Sequence, residues 1–227
     1  MSRLPDKDLR APHGFILWDT PPKEIFLSGG SGGILAAEDP SVPWISLIGF
    51  MCSGKSATGR ALARQLGWDH YDSDQMIVDQ SGMEVAELFD AHGEEAFREL
   101  EFKVVEQLPP ERDLVLSTGG GLVLNEKSMH ILHQQGPIFW LCVNRADVVE
   151  RARRPWATKR PLLTGPDLEA RIDHLMTERE PYYRRYGVPI PGGFAHPREA
   201  ARHILEILRT QQEFRDYFGS GDGLDEV

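Results

Sequence analysis

The sequence predicts an α/β fold built on a mainly parallel sheet, and three observations predict it. Short apolar, β-branched runs bounded by Pro, Gly or Asp recur through the middle of the chain, as buried strands do. Stretches with helical spacing alternate with them. Three polar loops, beginning at Gly49, Asp72 and Thr118, follow those runs directly. In such folds ligands gather beyond the carboxyl ends of the strands.

The elements follow in order from Trp44. "WISLI", between Pro43 and Gly49, reads as a buried strand, and "KSATGRALARQLG" as a helix stopped by Gly67. "WDHYD" is a second strand candidate. Helical text then runs from Ser73 to Leu108 with interruptions at Gly82 and Gly93; its last piece puts Phe97, Leu100, Val104 and Leu108 on one face. "DLVLS" is a third strand, Asn125 caps a helix ending at Gly136, and "PIFWLCV" is a fourth strand. Helices separated by Pro/Gly breaks continue to "REAARHILEILRTQQEF".

The flanks have a different texture. Residues 1–43 are rich in Pro, Gly and charge without periodicity, and form an N-terminal extension expected to be flexible or loosely docked. Within it, "SGGSGG" lacks the lysine of a nucleotide loop and reads as a linker. Residues 211–227 form a C-terminal tail ending in "GSGDGLDEV", expected to be disordered. One domain, 44–210, is left to carry the core.

Net charge is −10, which repels phosphate backbones at long range and argues against nucleic acid as a partner. A local cluster of Lys, Arg and backbone N–H groups can still hold a nucleotide. No run has the apolar length of a membrane span, and the first residues do not read as a secretory signal. Two cysteines, Cys52 and Cys142, form no disulfide framework and suit a reducing compartment. A cytoplasmic monomer is expected.

Gly49, Gly54, Lys55 and Ser56 satisfy the spacing G-x-x-x-x-G-K-S/T between a predicted strand and a predicted helix. In that order, backbone N–H groups and the helix N-terminus wrap phosphates, lysine reaches the β- and γ-phosphates, and the serine hydroxyl ligates Mg²⁺. A GTPase would need a base-reading N-K-x-D, and "NEKS" at Asn125 is not one. Asp72 and Asp74, just past a strand, could hold a Mg²⁺-bound water and accept a hydroxyl proton; equally, one could be an N-cap and the other solvated. "HILH", with His130 and His133, lacks a third ligand nearby and reads as a solvated face. "HGE" at His92 lacks the P-C-x-x-C of a zinc deaminase.

Together, "GFMCSGKSATGRALARQLG", "YDSDQMI", "GEEAFRELE", "STGGG", "RPLL" and "REPYYRRYG" resemble shikimate kinases in order and spacing, over about Trp44 to Leu208. The resemblance implies a P-loop kinase fold: a five-stranded parallel sheet in the order 2-3-1-4-5, with helices on both faces. It also implies a substrate-binding segment at about 73–108 and a mobile lid at about 153–166. The implied reaction moves the γ-phosphoryl group of MgATP to the 3-hydroxyl of shikimate.

The resemblance also implies roles. ATP binding falls to Gly49, Cys52, Ser53, Gly54, Lys55, Ser56 and Ala57; Arg153, near the base of the lid, could stack on adenine. Mg²⁺ falls to Ser56 and, through water, Asp72. Asp74 contacts the shikimate hydroxyls as the base, with Lys55 and the lid arginine Arg160 completing the catalytic set. Arg98 and Arg184 bind the shikimate carboxylate, Glu101 orients that region, and Gly119, Gly120 and Gly121 line the substrate. Guanidinium matches carboxylate geometry, and glycines admit backbone N–H groups. Each role has a plainer rival. Arg98 could pair with Glu94 on a helix surface, Arg184 could complement a helix C-terminus, and the glycines could form a turn.

Three departures stand out. Cys52 replaces a usual glycine, costing about 1 kcal/mol or more if its φ is positive and little otherwise. Ala57 replaces a hydroxyl residue, and "GGFAHP" lacks the arginine or asparagine common before that proline. Two alternatives stand beside the shikimate reading. One is a kinase of another small polyol acid such as gluconate. The other is a non-catalytic binding module whose residues 1–43 contact a partner.

Overall fold

The computed structural model describes residues 44–154 and 167–210. Its centre is a sheet of five parallel strands in the order β2-β3-β1-β4-β5. The strands are β1 (Trp44–Ile48), β2 (Asp69–Asp72), β3 (Leu114–Ser117), β4 (Ile138–Leu141) and β5 (Val188–Ile190). Every residue of β1, β3 and β4 is buried, as continuous apolar strands in a covered parallel sheet must be.

Seven helices surround the sheet among the described residues: α1 (Lys55–Leu66), α2 (Ser73–Ser81), α3 (Val85–Glu106), α4 (Glu126–Gln135), α5 (Arg145–Ala152), α6 (Leu168–Tyr186) and α7 (Pro197–Thr210). Helix α1 packs beside α7, and α3 beside both α2 and α4. The glycines act where the sequence places the breaks. Gly67 and Gly82 close α1 and α2 in left-handed backbone, and Gly93 interrupts α3 at φ 79°, ψ 175°. The Asn125 side chain accepts the Ser128 N–H at 3.1 Å and caps α4.

Strand β5 is the element that the residues by themselves do not signal. "VPI" is short and carries Pro189, which cannot donate to a ladder. It is viable because β5 is an edge strand paired only with β4, with Phe139 opposite Val188 and Trp140 opposite Pro189.

The connection after β1 leads by α1 to β2 on one side of the sheet, and the one after β3 leads by α4 to β4 on the other. The outgoing connections of the parallel neighbours β1 and β3 therefore cross the sheet in opposite directions. The crevice beyond their carboxyl ends is where such a sheet opens for ligands. The Gly49 loop and the Thr118–Gly121 loop flank it.

Candidate active site

The loop after β1 is shaped by three positive-φ residues. Gly49 has φ 144°, and a β-carbon there would stand 2.7 Å from the Leu141 carbonyl oxygen, so only glycine fits. Gly54 has φ 95° and begins α1. Cys52 has φ 64°. That settles the sequence-based alternative on its costly side: an L-residue with a β-carbon occupies left-handed backbone, at about 1–2 kcal/mol. The Cys52 carbonyl accepts a 2.8 Å hydrogen bond from Arg151 of α5, which fixes the strained loop.

Lys55 is buried and folds back over the loop, donating from Nζ to the Gly49 and Phe50 carbonyls at 2.8 and 2.9 Å. Around it lies a cavity of about 620 Å³ lined by Cys52, Ser53, Gly54, Lys55, Ser56 and Ala57. The same cavity takes in Arg151, Arg154 and the segment Pro191–Pro197, which contains "GGFAHP". Arg153, expected at the nucleotide, is not among the lining residues; it is exposed and pairs with Glu169 at 2.7 Å. Arg151 and Arg154 line the cavity instead. The reason is helix phase: the last turn of α5 turns its neighbours toward the loop and sends Arg153 across to α6.

A second cavity, of about 410 Å³, opens beyond β2 and β3. Asp72 and Asp74 both line it. Asp72 is also the N-cap of α2, its Oδ1 accepting the Asp74 and Gln75 N–H groups at 3.2 and 3.4 Å. The capping role and the cavity position coexist. Between these carboxylates Ser73 points inward, fully buried, and its Oγ accepts the Gly119 N–H at 2.8 Å. This bond ties the first turn of α2 to the glycine run, a tie the sequence reasoning missed.

Arg98 and Glu101 reach the cavity from α3. Glu101 sits at 0% exposure, on the buried face with Phe97 and Val104, and its Oε2 meets Arg98 Nη1 at 2.5 Å. Arg98 also pairs with the half-exposed Glu94 at 2.6 Å, so the surface pair and the cavity position coexist. Burial works against the Arg98 charge, but Glu101 and Glu94 outweigh it and push its pKa up. Burial pushes the Glu101 carboxyl up to about 7; the Asp74 charge adds to this and Arg98 opposes it.

The glycine run is where these groups meet. A β-carbon on Gly119 would collide with Glu101 Oε1 and stand 2.6 Å from Asp74 Oδ1. One on Gly121 would overlap the Arg98 guanidinium. The run is therefore more than a turn, because side chains there would evict the charged groups. Gly120 gives its carbonyl to the Tyr183 hydroxyl at 2.5 Å.

Arg184 does not join this group. It lies on the outer side of α6, near the carboxyl end of that helix, pairing with Glu180 at 2.6 Å and standing 5.5 Å from the Trp140 ring centroid. The arginine that lines the cavity is Arg179, five residues earlier and 2% exposed, whose Nε has no hydrogen-bond partner. Five residues on a helix turn the side chain about 140° away. A signal was present, since Arg179 falls in register with the buried positions Ile172, Leu175 and Tyr183. A cation on an apolar stripe is rarely placed there for packing. Arg160 lies outside the described residues.

The shikimate kinase family model matches residues 51–209 of the chain. The chain belongs to the shikimate kinase family. A shikimate kinase from Legionella pneumophila (strain Corby) is 43% identical over 139 residues, 61% of this chain and 78% of that one. One from Synechococcus sp. (strain CC9902) is 40% identical over 166 residues, covering 73% and 86%. Among solved structures, the shikimate kinase from Acinetobacter baumannii in complex with shikimate aligns with TM-score 0.72 and 31% identity, over 76% of this chain and 96% of that one. The enzyme from Aquifex aeolicus vf5 aligns with TM-score 0.63 and 35% identity, covering 73% and 96%. The strand order found here is the one that the sequence resemblance implied.

For Mg²⁺, the donor set fits a phosphate-bound ion. Ser56 lines the nucleotide cavity and Asp72 the neighbouring one, while no cluster of three His, Cys, Asp or Glu residues exists among the described residues. Mg²⁺ in kinases takes most ligands from phosphates and water and one or two from protein, so a sparse oxygen set is what it needs. No helix among the described residues is long and apolar enough to cross a membrane.

Proposed function

We propose that this chain transfers the γ-phosphoryl group of ATP to the 3-hydroxyl of shikimate, giving shikimate 3-phosphate and ADP. The observation that carries this reading is the pairing of Arg98 and Arg179 in one cavity with Asp74. An acceptor with a carboxylate at one end and hydroxyls at the other suits that set. Arg98 already shares its charge with Glu94 and Glu101, whereas the buried Nε of Arg179 has no partner to satisfy it. A carboxylate between the two would supply one.

In this reading Asp74 accepts the proton of the attacking hydroxyl. The acceptor oxygen bonds to phosphorus as the bond to the β-phosphate oxygen breaks. Lys55 leaves the Gly49 and Phe50 carbonyls for the phosphates, while the loop N–H groups and the start of α1 hold them. Ser56 and Asp72 would hold Mg²⁺, which supplies charge neutralisation on the phosphates when bound. Arg151 and Arg154, in place of Arg153, are the cations available to the rest of the nucleotide. Two buried free cysteines suit a cytosolic setting, and a site drawn from one chain suits a monomer.

A coupled ADP-release assay with shikimate, with gluconate and without acceptor tests the reading. Turnover that depends on shikimate is expected. Turnover with gluconate alone would move the assignment to another polyol acid. Binding without turnover would leave a non-catalytic module, an outcome that Lys55 and Asp74 in these positions argue against.

A further inference from the structure

Among the described residues, Arg60 alone lines both cavities. It sits on α1, one and a half turns after Lys55, and its side chain is exposed. Helical side chains lean toward the N-terminus of their helix, here toward Lys55 and Ser56. Arg98 is committed to two carboxylates, but no ion pair joins Arg60 to any described carboxylate. The imidazole of His70 also lines the acceptor cavity. His70 itself is committed elsewhere, hydrogen-bonded to Ser117 Oγ at 3.0 Å, which in turn donates to the Lys55 carbonyl. The guanidinium at this corner is thus an exposed cation that no ion pair ties down among the described residues.

We propose that Arg60 is a further catalytic residue, whose guanidinium meets the phosphoryl group at the boundary between donor and acceptor cavities and stays with it on the phosphorylated product. This rests on the kinase reading above. Transfer carries two negative charges from the nucleotide side to the acceptor side. Lys55 and the loop N–H groups serve the donor side, and Arg98 and Arg179 serve the far end of the acceptor. Among the described residues Arg60 is the cation common to both cavities, and so the one placed to follow the group across. The electron count is that of the transfer step itself: one P–O bond forms, one breaks, and the hydroxyl proton goes to Asp74.

The test compares acceptor and product binding in the full chain, with ADP present. Dissociation constants for shikimate and for shikimate 3-phosphate are measured for wild type, Arg60→Ala and Arg60→Lys. The Ala variant should bind shikimate 3-phosphate about tenfold or more weakly while shikimate affinity stays within about twofold, and Lys should recover part of the loss. Equal weakening of both ligands, or no change in either, overturns the proposal. Circular dichroism checks the fold, and Arg60→Gln replaces the Ala variant if that fails to fold. If wild type turns over gluconate instead of shikimate, the acceptor assignment fails, and the same comparison is made between gluconate and its phosphate. A wild type that turns over neither acceptor overturns both readings.

Discussion

Replacing Arg179 and Arg184 in turn separates the cavity arginine from the surface one. Arg184 stands 44% exposed, pairs with Glu180 four residues earlier and lies over Trp140. An exposed i,i+4 pair contributes about 0.3–0.5 kcal/mol and a partly solvated cation–π contact about 0.5–1. Arg184→Ala should therefore cost less than about 1.5 kcal/mol of stability and leave the shikimate KM within about twofold. Arg179 is buried against Glu101 and Tyr183, with its Nε unsatisfied. A charge-assisted hydrogen bond to a substrate carboxylate is worth about 1.5–3 kcal/mol, so Arg179→Ala should raise the shikimate KM about 10- to 150-fold. The ATP KM should hardly move, because Arg179 lines only the acceptor cavity. Arg179→Lys keeps the charge beside Glu101 and should fall between the two. Steady-state kinetics with each substrate varied gives the answer, with thermal melts confirming folded protein. An Arg184→Ala variant that raises the shikimate KM more than Arg179→Ala does would refute the helix-phase argument.

Three further outcomes follow from named contacts. Cys52→Ala keeps the strained left-handed backbone, whereas Cys52→Gly relieves it at some cost in chain entropy; Gly should exceed Ala by about 0.5–1 kcal/mol in a denaturant melt, and equal stabilities would mean the loop carries no strain. Folding raises the Glu101 carboxyl from its ordinary 4.5 to about 7, so its neutral form contributes stability that is complete below about pH 4.5 and lost as pH rises through 7. Relative to Glu101→Gln, which stays neutral, wild type should lose on the order of 3 kcal/mol across that window, and a pH-independent difference would rule out the raised pKa. Asp74→Asn should lower kcat about 10²- to 10⁴-fold with ATP still bound, measured by turnover and nucleotide titration; near-normal turnover would end its role as base.

Much of this protein is determined along the chain. Apolar runs of four or five residues fix β1, β3 and β4, because a strand covered on both faces needs no alternation. Glycines at 67, 82 and 93 break helices where the text breaks, because left-handed backbone is a local property of the residue. The spacing of Gly49, Gly54, Lys55 and Ser56 likewise encodes a phosphate loop within eight consecutive residues.

Tertiary structure decided the rest, for reasons of direction and distance. Edge strand β5 exists only because β4 offers it a partner. The sign of φ at Cys52 comes from a loop pinned by Arg151, 99 positions away. Arg153 and Arg184 line neither cavity, while Arg151, Arg154 and Arg179 do. Spacing says which residues share a helix face, but only packing says which face looks into the crevice. The opening residue pattern thus names the chemistry, and the crevice between β1 and β3 selects the side chains that can reach it.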